Sequence, residues 1–398
     1  MEGEMTAFSL DEATNLFKIN YYKKSENMYN SANVLLGRIK KRYDFTGKQR
    51  FVATPLSYSG GVGSGSLPTP GVADYGDALI TAKKVYATCQ IDREAIKASA
   101  NDKGAFVKAT KEVVQKCVES YMRNASRILY GNGDGSLGVV SSVTDDGGGQ
   151  YTLVITDASW KESNFEEKDL VNIETGNSDL FEIEAVSPSA KSIQVQRSTG
   201  SQVPAGTDEV FMQGSEDNDP QGLKNVLDAT SSTLYNISVA RRWQASQFAA
   251  GGAGITPDRM NEVMLEVERK FGRAPNLIVT SYTQYRKLMN EIEDHKRYSL
   301  PARDKKLKGQ IMFEGLEFMS TRGAIGIFPD RFCEEDRMYF LNDNFIEVHH
   351  RPGFGWFDDD GTVFLRKAAS DEYEARYGGY YENYITPTAH GVLDGLAV

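Results

Sequence analysis

Four histidines and three cysteines in 398 residues leave little material for the commonest chemistry of protein sites. Cys89, Cys117 and Cys333 stand far apart, with no Cys-x-x-Cys pair and no Cys/His ligand spacing. That argues against a zinc site and a disulfide framework, and fits a reducing compartment. His349 and His350 are adjacent in a strand-like run. Adjacent strand side chains point to opposite faces, so these two rings cannot chelate one ion together. His295 and His390 have no Ser or Cys companion in a nucleophile-elbow sequence. No apolar run approaches the ~18 residues of a membrane span, and residues 1–8 are short, polar and acidic, unlike a signal peptide. Positive charge is not in excess either: 45 Lys and Arg against 55 Asp and Glu give a net charge of −10. The chain as a whole is therefore not held on nucleic acid by phosphate contacts. An acidic wall can still line a compartment that contains DNA.

Four segments imitate ligand loops. Residues 60–65 (GGVGSG) lack the Gly-Lys-Ser/Thr ending that grips phosphate and magnesium. Residues 131–138 (GNGDGSLG) lack the closing Glu of a calcium loop and read as a turn leaving a helix. Residues 357–362 (FDDDGT) read as a hairpin turn, because adjacent carboxylates on a turn diverge. The basic stretch 295–308 reads as a solvated or subunit-facing loop. No catalytic, cofactor-binding or metal-ligating set is expected, and the chain is not read as an enzyme.

What the sequence does contain is length and pattern. Its 398 residues suit roughly two to three ordinary domains, and 40% hydrophobic with 25% charged residues is normal for a folded protein. Residues 1–48 read as an arm, with a short helix after the capping-box pattern at Ser9 and a second near 31–42 that sets Leu35, Leu36 and Ile39 on one face. Residues 49–58 and 79–91 read as strands of a long hairpin, joined by a Gly/Ser/Pro-rich tip. Each strand of about ten residues reaches roughly 33 Å, and a bare hairpin of that length is marginal in water. Its apolar side chains need a surface to lie on. Phe51, Val52, Leu56, Tyr58, Val85 and Tyr86 are the candidates for contact with a second subunit.

Residues 105–130 carry apolar side chains at i, i+3, i+4 and i+7 over about seven turns, a helix of roughly 39 Å that stops at Gly131. Cys117 falls on its apolar stripe and reads as core. Residues 141–213 lose the helical period and read as a small β-barrel of about five strands. From residue 220 onward the pattern is mixed α/β, with a helix opening at Thr256-Pro257, a buried strand at 276–280 and a second helix over 281–293; the rest is mainly β, ending in a tyrosine-rich run over 372–385.

The order of these elements resembles the major capsid protein of tailed bacteriophages, the Hong Kong 97-type fold shared with encapsulins. Local sequence adds to it: ILYGNGDGSLGVV (128–140), APNLIVTSYTQYRKLMNEI (274–292), DDDGTVFLRK (358–367) and NYITPTAHGVLDGL (383–396) each resemble a segment of that family. The resemblance implies an α+β fold with an N-terminal arm (1–48), an extended loop (49–91), a spine helix leading into a peripheral domain (92–140), an inserted β domain (141–213), an axial domain (225–330) and returning strands (331–398). It also implies a shell subunit that forms pentamers and hexamers around double-stranded DNA without reading its sequence. Assembly would take place in the host cytoplasm, with a separate scaffolding protein because this arm is too short to be one, unless the chain is already processed, and with a portal and decoration proteins as further partners. The rival within the fold is an encapsulin-like compartment. The rival from another class is an oligomer-binding barrel, for which Tyr151, Trp160, Phe165, Phe181 and Phe211 would have to share one face.

Overall fold

The computed structural model describes residues 33–57, 74–92, 103–174, 176–230, 233–294, 316–320, 323–352, 354–357, 363, 365–366 and 372–398. The helix expected after Ser9, the hairpin tip, Tyr58, the basic stretch 295–308 and residues 358–362 lie outside them.

The chain begins with helix α1 (Val34–Arg38), strands β1 (Lys40–Arg42), β2 (Gln49–Ser57), β3 (Asp74–Thr81) and β4 (Lys83–Asp92), and helix α2 (Lys103–Tyr130). Six strands follow: β5 (Ser136–Gly147), β6 (Gln150–Ile155), β7 (Leu170–Ile173), β8 (Phe181–Ser187), β9 (Ser192–Arg197) and β10 (Glu209–Met212). Then come α3 (Leu223–Asp228), β11 (Thr233–Leu234), β12 (Ile237–Ser238), β13 (Ser246–Ala249), α4 (Pro257–Phe271), β14 (Leu277–Thr280) and α5 (Tyr282–Asp294). The last part is β15 (Leu316–Ser320), β16 (Gly323–Pro329), β17 (Met338–Leu341), β18 (Ile346–His350), β19 (Gly355–Trp356), β20 (Leu365–Arg366), β21 (Glu372–Ile385) and β22 (Gly391–Asp394).

Among the described residues these strands make two six-stranded sheets, a closed six-stranded barrel and two two-stranded ribbons. In the first large sheet β4, β18, β19 and β20 all pair with β21, and β1 extends the edge beyond β18. The second runs β13-β22-β17-β14-β16-β15. It is covered by α4, whose Met260, Val263, Met264 and Val267 are buried. That helix is bounded as its sequence suggests: the Thr256 side chain accepts from the Arg259 N–H, Pro257 opens the first turn and Gly272 closes it at φ 78°. The long helix α2 lays Cys117, Val118, Tyr121, Met122, Ala125, Ile128 and Leu129 into one apolar cluster with β4 and β21, and the Gly131 N–H donates to the Ile128 carbonyl at 3.0 Å as the helix ends.

Three expectations change. The helix placed near 31–42 is only the five-residue α1, capped by Asn33; Leu35, Leu36 and Ile39 are buried as expected, but Lys40–Arg42 leaves as a strand parallel to β18. Its basic groups have partners. Arg38 lies 4.9 Å from the Phe328 ring centroid, and Arg42 pairs with Glu347 at 2.6 Å. The barrel has six strands, not five, because Ser136–Gly147 is one continuous strand that pairs with both β6 and β10; the barrel therefore starts five residues before 141. Finally, the long hairpin divides at Ala82. Gln49–Ser57 pairs with Asp74–Thr81, whereas Lys83–Asp92 pairs with β21, nearly 300 residues away in sequence.

The barrel is clasped to the rest by charge. Arg123 on α2 reaches Asp169 at 2.6 Å and also pairs with Glu166, and Lys161 meets Glu334 at 2.7 Å; beside them Arg127 meets Asp219, in the segment that follows β10, at 3.0 Å. Burial alone would raise the Glu334 carboxyl, but Lys161, Lys224 and Arg337 around it hold it at about 2.

Candidate intersubunit surface

The ribbon of β2 and β3 has two unlike faces, set by the period of two along each strand. Inward are Thr54, Ala78 and Ile80, all buried, with Val52 and Leu56 packed against the same core. This face lies on its own chain. The Thr54 and Tyr384 hydroxyls share a hydrogen bond of 2.6 Å, and the Leu79 N–H donates to the Tyr235 carbonyl at 2.8 Å. Tyr235 and Asn236, both at positive φ, form the tight turn between β11 and β12. Next to it Ile237 fills the space at Gly76, where a Cβ would come within 2.8 Å of the isoleucine side chain.

Outward are Phe51, 63% exposed, and Tyr75, 56% exposed. Cross-strand register sets Phe51 opposite Leu79 and Pro55 opposite Tyr75, with the exposed pair Ala53 and Asp77 between them on the same face. Single exposed apolar residues are ordinary; two large ones on one face of a ribbon make it the candidate surface.

The six candidate residues do not share this face. Phe51 is on it. Val52 and Leu56 point inward and are partly buried. Tyr58 lies outside the described residues. Val85 is 8% exposed, in the core between α2 and the large sheet, which removes it from any contact with a second subunit. Tyr86 alternates to the opposite side of β4, 39% exposed, with its ring edge-on to Phe357 at 5.4 Å and Tyr380 at 6.1 Å. Burial and a hydrogen bond with Tyr380 raise the Tyr86 phenol well above its usual range. Tyr75 was missed because Gly76 and Asp77 interrupt the apolar alternation and residues 59–78 read as the tip; Pro55 and Leu79 lay inside the strands read at 49–58 and 79–91 but were not singled out, the available signal being their strand parity with Phe51 and Tyr75.

The root of the ribbon is pinned. Arg50 forms an ion pair with Asp44 and donates to its carbonyl at 3.1 Å. Asp44 also meets the Nδ1 of buried His349 at 2.9 Å. Burial works against ionisation of Asp44, but hydrogen bonds with His349 and Arg50 outweigh it and hold the carboxyl below its usual value. At the other root the Ala82 N–H donates to the Lys48 carbonyl at 3.0 Å, and the Lys83 ammonium to the Asp217 carbonyl at 2.7 Å.

No family model matches the chain, and no curated protein matches it in sequence. Solved structures do match it in shape. The subunit in the cyanophage A-1(L) capsid asymmetric unit is 11% identical, with 96% of this chain and 95% of that one covered at a TM-score of 0.55. The SrpI encapsulin complex from Synechococcus elongatus PCC 7942 is 8% identical, covers 91% of this chain and 87% of that one, and has a TM-score of 0.48. The satellite phage P4 procapsid is 6% identical over 97% and 96% of the two chains, with a TM-score of 0.43. Over nearly its whole length, then, the chain has the fold of a phage capsid subunit.

Proposed function

We propose that this chain is the major capsid protein of a tailed bacteriophage, a structural and non-enzymatic subunit that assembles into the shell around packaged double-stranded DNA. The observation that carries the reading is the agreement with the cyanophage capsid subunit over 96% of the chain. The ribbon's outer face is consistent with it. In this reading β2 and β3 are the extended loop, α2 the spine helix, the β21 sheet the peripheral domain and the α4 sheet the axial domain, with the barrel as an insertion. The extended loop is shorter than residues 49–91, because β4 belongs to the peripheral sheet.

Phe51, Pro55, Tyr75 and Leu79 then lie against a neighbouring copy of the same chain. Such a contact is heterologous, and repeated copies close into rings of five or six. A separate scaffolding protein, a portal and decoration proteins are the further partners, and the assembled location is the virion. The encapsulin reading is the less supported alternative.

Negative-stain microscopy of the purified chain, alone and with its scaffold, tests the proposal: shells, rings or tubes are expected. A monodisperse monomer in every condition would overturn it. The double variant Phe51→Asp/Tyr75→Asp separates surface from fold, because it should keep the thermal midpoint and circular dichroism of the parent and lose assembly.

A further inference from the structure

Two of the three cysteines, far apart in sequence, meet in the core. Tyr121 on α2 packs edge-on against Tyr377, with 5.2 Å between ring centroids, and Tyr377 is the partner of Ala87 across the β4–β21 ladder. One helical turn back from Tyr121 is Cys117. Two residues on from Ala87 is Cys89, opposite Ala375. A turn advances about 5.4 Å and two strand residues about 6.6 Å, so helix and strand, running in opposite directions, keep these positions level. Both cysteines are buried in the same apolar cluster, and both are free thiols. The Cys89 thiol donates to the Ala375 carbonyl at 3.6 Å.

We propose that Cys89 and Cys117 form an oxidation site, a dithiol that closes to a disulfide when a small uncharged hydroperoxide reaches it. The two neighbouring sulfurs take different roles: Cys117 lowers the pKa of the Cys89 thiol beside it, while Cys89 and burial raise that of Cys117. Cys89 is thus the attacking sulfur and Cys117 the resolving one. In the first step the Cys89 thiolate attacks one oxygen of hydrogen peroxide, the O–O bond breaks, and a sulfenic acid and hydroxide form, the hydroxide becoming water with the proton that left the Cys89 thiol. In the second the Cys117 sulfur attacks the sulfenic sulfur, the S–O bond breaks, and a second water leaves with the thiol proton. Two thiols and one peroxide give one disulfide and two waters. The bond joins α2 to β4, two elements already in contact, so the sheet and helix need not separate to accommodate it. Cys333 is the internal reference: it is buried, and its thiol is directed to the Arg337 carbonyl at 3.8 Å.

The test is thiol mapping of the full chain. Reduced protein is treated with hydrogen peroxide while folded, then unfolded, alkylated and digested. The expected result is a loss of two hydrogens in intact mass, a linked Cys89–Cys117 peptide and an alkylated Cys333, all restored by dithiothreitol. Cys117→Ser should stop at a Cys89 sulfenic acid that dimedone traps, and Cys333→Ala should leave the linkage intact. Cys89 and Cys117 both remaining alkylatable, or oxidising singly and no faster than Cys333, would overturn the proposal. Peptide mapping of the parent chain decides the matter even if a variant fails to fold.

Discussion

Glu382 sits 3% exposed in β21, the strand with which β4, β18, β19 and β20 all pair. Its carboxyl accepts from the Gln221 N–H at 2.7 Å and from the Asn383 N–H at 3.1 Å, and burial raises it to about 8. A carboxyl raised on folding binds its proton more tightly in the native state. Its contribution is therefore most favourable below its usual 4.5, declines as pH rises, and is least favourable above about 8. Glu382→Gln keeps both acceptor contacts and removes the titration. Chemical unfolding should show the variant gaining on the parent as pH rises through that window, with a slope of at most about 1.4 kcal/mol per pH unit. A constant difference would show that Glu382 does not titrate there. Glu334 is the opposite case, a buried carboxylate kept ionised by its neighbours. Lys161→Ala removes its nearest cation, and the expected loss is about 3 kcal/mol of stability, measured by urea unfolding at pH 7.

At the scale of elements, β21 carries the most. Gly378 lies in it at φ 149°, and a Cβ there would stand 2.2 Å from the Val85 carbonyl oxygen. Gly378→Ala should therefore break the β4 ladder at its middle, and hydrogen exchange should show faster loss of protection in both strands than in β14 or β17. Val85→Asp should unfold the chain for a related reason, by burying an unpaired charge, where the paired change at Phe51 and Tyr75 should not. The long helix and α4 were legible in the sequence because their apolar residues keep one phase over many turns and their ends carry Gly and a Thr-Pro start. The hairpin was half legible. Nothing in residues 79–91 marks Ala82 as a division, and the true partner of β4 is too distant for any local pattern to indicate. Assigning Val85 to the same surface as Phe51 assumed a shared ribbon; once the two strands belong to different sheets, alternation in one says nothing about the other. The pairing of Cys89 with Cys117 was hidden for the same reason.

For the molecule as a whole, its buried titrating groups oppose one another across pH. Burial lowers His350 to about 3 and His390 to about 4. The unfolded chain binds those protons more readily, so stability from these two groups is full above their usual 6.5 and is lost as pH falls through the window below it. Glu334 and Glu347, both held at about 2, add a further loss as pH falls below their usual 4.5. Glu382 acts in the other direction up to about 8. Thermal midpoints measured across pH should therefore peak near pH 6.5, the usual histidine value. A midpoint that climbs steadily from pH 6.5 to pH 8.5 would contradict this balance.

The pairing of β4 with β21 has one more consequence, in time rather than in space. Residues 83–92 wait for residues 372–385 before their ladder can form. A ribosome delivers the chain from its N-terminal end, so β4 stays without its ladder partner through most of synthesis, and contacts this remote in sequence close slowly. Nascent chains that stall before β21 emerges lack the strand that seats β4 beneath α2. Synthesis of the last strands then acts as a checkpoint: truncated products lack both the β4 ladder and the Tyr384 hydroxyl that meets Thr54, so the ribbon is not seated in its finished position.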